Sequence, residues 1–133
     1  MANRILLVED NEDDSMGFTQ VVALIMKHDV VVARNGLDAV RLAREENFDL
    51  VLLDLRLPGL SGSEVAQKLR AMANYREVPI IALTAYDHPG IRKQSLTAGC
   101  NQYLIKPVDV NTIINTISAY LPPRDNFTSP PGF

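Results

Sequence analysis

Five short apolar runs, each of strand length, recur along the chain at residues 5–8, 30–33, 50–53, 80–83 and, more weakly, 103–105. Polar or turn residues bound each one. Their apolarity is continuous rather than alternating, which is the pattern of strands covered on both faces, as in a parallel sheet. Between the runs lie segments with helical spacing: Phe18, Val21, Val22 and Ile25; Leu37, Val40 and Ala43; Val65, Leu69 and Met72; Val110, Ile113, Ile114, Ile117 and Leu121. Each would turn one stripe toward a sheet. The boundary signals agree with this partition. Ser61-Gly-Ser-Glu64 reads as a capping box, Asp109 as an N-cap, Pro89 as an early helical residue and Gly99 as a helix stop. Residues 91–98 form the least amphipathic of the predicted helices.

Strand and helix alternate five times, and right-handed crossovers then require an α/β fold: a doubly wound, five-stranded parallel sheet with helices on both faces. The expected strand order is the flavodoxin-like 2-1-3-4-5. In such a sheet, ligands sit beyond the carboxyl ends of the strands, at the switch point beside the first strand. With 133 residues, 47% of them hydrophobic, there is enough chain for one core and too little for a second. The domain is expected to span residues 1–121. Residues 122–133 read Pro-Pro-Arg-Asp-Asn-Phe-Thr-Ser-Pro-Pro-Gly-Phe, too rich in proline and too poor in aliphatics to extend that core, and are expected to form a flexible tail.

Composition narrows the class of partner. A net charge of −3 supplies no broad basic face for nucleic acid or an anionic membrane, so protein partners are expected. The single cysteine, Cys100, cannot form an intrachain disulfide, and residues 5–8 are too short for a signal or membrane segment. A cytoplasmic location follows as the expectation.

The chemistry concentrates where the predicted strands end. The first strand runs into Glu9-Asp10-Asn11-Glu12-Asp13-Asp14, and the third ends at Asp54. Glu9, Asp10 and Asp54 together at one mouth would repel strongly unless a cation neutralised them, and oxygen-only ligands suit Mg²⁺ better than zinc. The fourth strand ends at Thr84-Ala85 and the fifth at Lys106-Pro107, adding a hydroxyl and an ammonium to the same edge. Acids with a hard metal, one hydroxyl and one lysine are the equipment for phosphoryl transfer to a carboxylate, with Asp54 attacking in line.

Taken singly, these residues also have bland readings. Asp13 or Asp14 fits a helix N-terminus stabilised by its dipole, and Asp54, Thr84 or Lys106 alone could be a cap or a surface residue. It is their convergence from four strand ends that favours chemistry. His28 and His88 lack metal-ligand spacing and read as ordinary polar residues, while Gly59 and Gly62 beside Pro58 read as turn residues rather than a phosphate cradle.

These segments resemble the response-regulator receiver family of two-component signalling: Ile5-Leu-Leu-Val-Glu-Asp-Asn11, Leu52-Leu-Asp-Leu-Arg-Leu-Pro-Gly59, Ala82-Leu-Thr-Ala85, Ala98-Gly99 and Tyr103-Leu-Ile-Lys-Pro107. The likeness spans residues 4–121. It implies that Asp54 accepts a phosphoryl group from a phosphohistidine on a histidine kinase or histidine phosphotransfer protein. It further implies that Asp10 and Asp54 bind Mg²⁺ directly, Glu9 through water and Arg56 through its main-chain carbonyl. By the same likeness Thr84 and Lys106 contact phosphoryl oxygens, the Lys106-Pro107 peptide is cis, and Thr84 and Tyr103 form the switch. That switch would remodel the face of the fourth helix, fifth strand and fifth helix, where a downstream protein or a second copy could dock. Arg56 and Tyr86 occupy the two less settled positions of the family, two after the acceptor and two after the hydroxyl; their bulk is expected to slow hydrolysis of the phosphoaspartate, and Ala85 is grouped with them in tuning dephosphorylation.

Such a protein catalyses only its own phosphorylation and dephosphorylation and is not an enzyme acting on other substrates. No DNA-binding output domain is expected in this chain, and its signal is expected to pass by protein contact. Two rival readings remain. An aspartate-nucleophile phosphatase resembling the haloacid dehalogenase group would want an Asp-x-Asp pair on the first strand, whereas here the acid is on the third and the second position is Arg56. A flavodoxin-like flavin binder would need a hydroxyl-rich or glycine-rich loop after the first strand, where Glu9 to Asp13 would repel the phosphate.

Overall fold

Each of the five apolar runs forms a strand in the computed structural model, which describes residues 3–121: β1 Arg4–Val8, β2 Asp29–Ala33, β3 Leu50–Asp54, β4 Ile80–Thr84 and β5 Gln102–Ile105. All pair in parallel, in the order β2-β1-β3-β4-β5. Five helices connect and follow them: α1 Glu12–Thr19, α2 Gly36–Glu45, α3 Gly62–Arg70, α4 Pro89–Thr97 and α5 Val110–Tyr120. The fold is the doubly wound sheet that the alternation predicts. The tail expected at residues 122–133 lies outside the described residues.

Continuous apolarity is explained by two separate cores. On one face Leu6, Val8, Val51, Leu53, Ile80 and Ala82 pack with α2 and α3; on the other Ile5, Leu7, Leu50, Leu52, Ile81 and Leu83 pack with α1 and α5. Successive side chains of a strand point to opposite faces, so a strand covered on both sides must be apolar at every position. β3 and β4 are accordingly buried along their whole length, and Asp54 and Thr84 are their last residues.

The helices depart from the predicted stripes at three points. Ile25 is 39% exposed and Met26 takes the inward place instead. The cause is a π-helical segment, Gln20–Ile25, that continues α1; the Met26 N–H donates to the Val21 carbonyl at 3.1 Å, five residues back, which advances the inward register by one position. In α2, Leu37 is 68% exposed, because the inward face is made by Gly36, Ala39, Val40 and Ala43. Val110, the first residue of α5, is likewise exposed while Ile113, Ile114 and Ile117 turn inward.

The predicted caps form. The Ser61 hydroxyl accepts the Glu64 N–H and the Glu64 carboxylate accepts the Ser61 N–H, both at 3.2 Å. Asp109 accepts the Thr112 N–H at 2.8 Å. Pro89 opens α4, and His88 caps it by accepting the Gly90 N–H at Nδ1, 3.0 Å away. Gly99 stops α4 at φ +114° and Gly59 occupies a turn at φ +77°, both in the left-handed region that favours glycine.

Gly62 is not a turn residue but the first residue of α3, and it matters because of what lies against it. A Cβ there would sit 2.6 Å from the Asp54 carbonyl oxygen and 2.6 Å from the Leu55 Cα. The bare Cα therefore lets α3 start directly against the strand end that carries Asp54. Gly62→Ala is expected to destabilise the fold by about 1–3 kcal/mol, as overpacking does in a close-packed site, measured as a lowered urea midpoint with an unchanged m-value.

Candidate functional site

Four strand ends meet at the carboxyl edge of the sheet, and between them they deliver five polar groups. Glu9 follows β1, with its N–H on the Ala33 carbonyl at 2.9 Å, and is only 1% exposed. Asp10 follows it and is exposed. Asp54 and Thr84 are buried at the ends of β3 and β4. Lys106 follows β5, its N–H on the Thr84 carbonyl at 2.7 Å, and its peptide bond to Pro107 is cis. The parallel register carries all of these groups to one edge.

The ammonium of Lys106 is the centre of the cluster. It donates to Glu9 Oε1 at 2.5 Å, to Asp14 Oδ2 at 3.1 Å and to Asp54 Oδ2 at 3.1 Å. The other oxygen of Asp54, Oδ1, accepts the Arg56 N–H at 2.9 Å. Carboxylate oxygens of Glu9, Asp10 and Asp54 lie within 4.8 Å of one another. Three acids on one half-buried lysine leave an excess of negative charge, and the cluster shows it. Burial, reinforced by the Asp54 carboxylate beside it, pushes Glu9 from 4.5 up to about 7, against the opposing pull of Lys106. Burial would lower the Lys106 ammonium, but the hydrogen bonds to Glu9 and Asp14 and the charge of Asp54 hold it above its ordinary value.

Such a donor set fits a hard divalent cation. All three groups offer oxygen only, Asp10 faces solvent so that water can complete a coordination shell, and an added cation would offset the burial and the neighbouring Asp54 charge that together push Glu9 up.

A second set of contacts forms the rim. Arg56 Nη1 donates to the Tyr86 hydroxyl at 2.5 Å, and its guanidinium lies 4.6 Å from the centre of the Tyr86 ring. The Tyr86 N–H donates to the Thr84 hydroxyl at 3.1 Å. The Tyr103 hydroxyl, on half-buried β5, donates to the Tyr86 carbonyl. Tyr86 thus joins Arg56, Thr84 and Tyr103, and Ala85 lies exposed between the two hydrogen-bonded residues.

Asp14 is the residue that sequence reasoning assigned elsewhere. It does stand at the N-terminus of α1, where Asn11 accepts its N–H at 2.9 Å, but its carboxylate also reaches Lys106, 92 positions away. No local pattern announces a contact of that range. His28 is buried without joining the acid cluster, and His88 is occupied as a cap. Cys100 is buried, with its thiol pushed up to about 11 by burial, which keeps it protonated and unreactive at neutral pH. Among the described residues, no helix is long and apolar enough to cross a membrane.

Comparison with known proteins points the same way. Residues 5–118 match the sequence model of the response regulator receiver domain. The polar-differentiation response regulator DivK of Brucella anthropi is 37% identical over 121 residues, covering 91% of this chain and 98% of that protein. The receiver domain of the sensor histidine kinase PA1611 from Pseudomonas aeruginosa has a magnesium ion coordinated in its active site cleft. Its structure is similar at a TM-score of 0.84 with 36% identity, covering 90% of this chain and 98% of that one. The chemotaxis protein CheY4 of Vibrio cholerae shares the fold at a TM-score of 0.86 and 23% identity, covering 91% of this chain and 100% of its own.

The state of Glu9 has a consequence for stability. Its folded value of about 7 lies above its ordinary 4.5, so the folded protein holds the proton more tightly than the unfolded chain. Stability carried by that proton is complete below the ordinary value and is lost as pH rises through the folded one. Without divalent metal, Glu9→Gln should therefore gain stability relative to wild type by on the order of 1–3 kcal/mol between about pH 5 and about pH 8, compared by urea midpoints.

Proposed function

Because the chain belongs to the response-regulator receiver family of two-component signalling, we propose that Asp54 is its phosphoacceptor. The observation that carries this reading is the buried Asp54 carboxylate held by the Lys106 ammonium, beside the two further acids Glu9 and Asp10. An Asp54 oxygen attacks phosphorus as the bond to the donor's leaving group breaks. The leaving group takes the electron pair, and the phosphoryl group remains on the aspartate. With a phosphohistidine as donor, the group comes from a histidine kinase or a histidine phosphotransfer protein.

Asp10 and Asp54 would hold Mg²⁺ directly, Glu9 through water, and Arg56 through its main-chain carbonyl. The ion, when bound, supplies charge neutralisation to the transferring group. Lys106 and Thr84 receive the phosphoryl oxygens. The chain's chemistry is self-directed, its own phosphorylation and dephosphorylation, and its output is protein contact. A location in the cytoplasm and a receiver unit of residues 1–121 complete the reading.

Transmission follows from the rim. Turning the Thr84 hydroxyl toward a phosphoryl oxygen takes it from the Tyr86 N–H, and Tyr86 carries the carbonyl that holds Tyr103. Tyr103 is then free to change its place on the face of α4, β5 and α5, where a downstream protein or a second copy of the chain would bind. α4 is suited to such a change, since Ser95 is its one buried residue.

Neither rival reading is favoured by the geometry. A second catalytic acid two positions after Asp54 is what the phosphatase reading requires, and that position holds Arg56, whose side chain is engaged by Tyr86. A flavin phosphate would meet Glu9 and Asp10 at the mouth.

Incubation with Mg²⁺ and acetyl phosphate, followed by intact mass measurement, should give one phosphoryl adduct on wild type and none on Asp54→Asn or in the presence of EDTA; an adduct surviving equally in the mutant overturns the assignment. Arg56 and Tyr86, with Ala85 between Tyr86 and the switch hydroxyl, shield the phosphoaspartate from water. The double variant Arg56→Ala, Tyr86→Ala should accordingly shorten the lifetime of the adduct several-fold, and an unchanged decay rate would contradict that role.

A further inference from the structure

Asp14 is the one carboxylate on Lys106 that has no part in the chemistry proposed above. Its backbone is pinned by Asn11, which caps α1 through the Asp14 N–H at 2.9 Å, and its carboxylate meets Lys106 Nζ at 3.1 Å. An ammonium has three N–H donors. All three are spent, on Glu9 at 2.5 Å and on Asp14 and Asp54 at 3.1 Å each. A phosphoryl oxygen can be reached only if one of them is released.

The three acceptors are not equally free to let go. The Glu9 side chain is 0% exposed, so losing Lys106 would leave its Oε1 unsolvated and without that partner, with only the Asn11 N–H on Oε2 at 3.3 Å to hold the carboxylate. Asp54 is the group being modified. The Asp14 side chain is 43% exposed and borders a cavity of about 200 Å³ between α1 and the start of α5, lined also by Asp13, Gly17, Phe18 and Pro107, so it can turn to water at little cost.

We propose that Asp14 is a positioning residue that holds Lys106 in the resting protein and gives it up to the incoming phosphoryl group, so that the Asp14–Lys106 contact restrains phosphorylation. This rests on Asp54 being the acceptor. While the bond from Asp54 to phosphorus forms and the bond to the leaving group breaks, one Lys106 N–H passes from the Asp14 carboxylate to a phosphoryl oxygen, and no proton is transferred. A contact present in the ground state and absent from the transition state raises the barrier.

The test compares rates of adduct formation from acetyl phosphate and Mg²⁺ in wild type, Asp14→Asn, Asp14→Ser, Asp14→Glu and Asp13→Asn, with folding checked by circular dichroism. Both neutral variants at Asp14 should react about three- to fivefold faster, the effect of losing a half-exposed ion pair; either one suffices should the other fail to fold. Asp14→Glu should keep the slow rate, because it restores the carboxylate. Asp13→Asn removes the same charge one residue earlier, from an exposed position that is not on Lys106, and should leave the rate essentially unchanged. Equal acceleration at both positions would reveal a general effect of charge and overturn the proposal, as would an unchanged or slower rate in the Asp14 variants. Failure of wild type to form any adduct removes the phosphoacceptor premise itself, an outcome distinct from wild-type and Asp14→Asn proteins reacting alike.

Discussion

One ammonium group carries the electrostatics of this molecule. Lys106 is the cation on which Glu9, Asp14 and Asp54 converge, and the first and last of these are buried. Burying carboxylates is costly unless each finds a partner, and a single lysine cannot fully compensate three. The residual strain surfaces as the raised value of Glu9 and as a geometry that accepts a hard cation. Acid chemistry at this edge thus depends on charge left unbalanced, and the fold must supply the binding energy to keep it so.

The fold supplies it by making the strand ends rigid. β1, β3 and β4 lie between two apolar cores, and the residues that follow β1, β3 and β5 remain tied to neighbouring strands: the Glu9 N–H to Ala33, the Leu55 N–H to Leu83 and the Lys106 N–H to Thr84. α3 starts hard against the Asp54 backbone because Gly62 has no side chain. At its other end Arg70 donates to the carbonyls of Tyr75, Val78 and Gly99 and to the Asn101 side chain, tying α3 to the segments on either side of β4 and α4. The rim is looser in kind. Arg56, Tyr86 and Tyr103 meet through exposed or half-buried contacts, which can exchange without disturbing either core. A rigid acid cluster next to an exchangeable rim is the division of labour that a phosphorylation switch requires.

Much of this was legible in the residues. Five strand-length apolar runs, separated by helical spacing, specified the sheet and its covered faces, and handed crossovers reduced the possible orders to a few. Ser61, Pro89, Gly99 and Asp109 marked helix ends because their local conformational preferences act regardless of what lies beyond. The acids, hydroxyl and lysine at the strand ends were identifiable for a similar reason: in a parallel sheet, sequence position at the end of a strand is also spatial position at one edge.

What the residues left open was decided by contacts between parts of the chain far apart in sequence. The inward register after Val22 shifted at the π-helical segment Gln20–Ile25, which no pattern of apolar spacing marks, so Met26 rather than Ile25 is buried. Beside Pro58, Gly62 has the local character of a turn glycine, but its place at the start of α3 is fixed by the Asp54 and Leu55 backbone packed against it. Asp14 read as a helix-dipole residue, and from its neighbours alone that is correct; its second role exists only because β5 delivers Lys106 to the same edge. The sequence by itself determined the strands, their covered faces and the candidate groups, since these follow from local periodicity and chain handedness. Tertiary structure alone decided which carboxylates share Lys106 and that Glu9 is pushed up, because burial and charge proximity are properties of the packed edge.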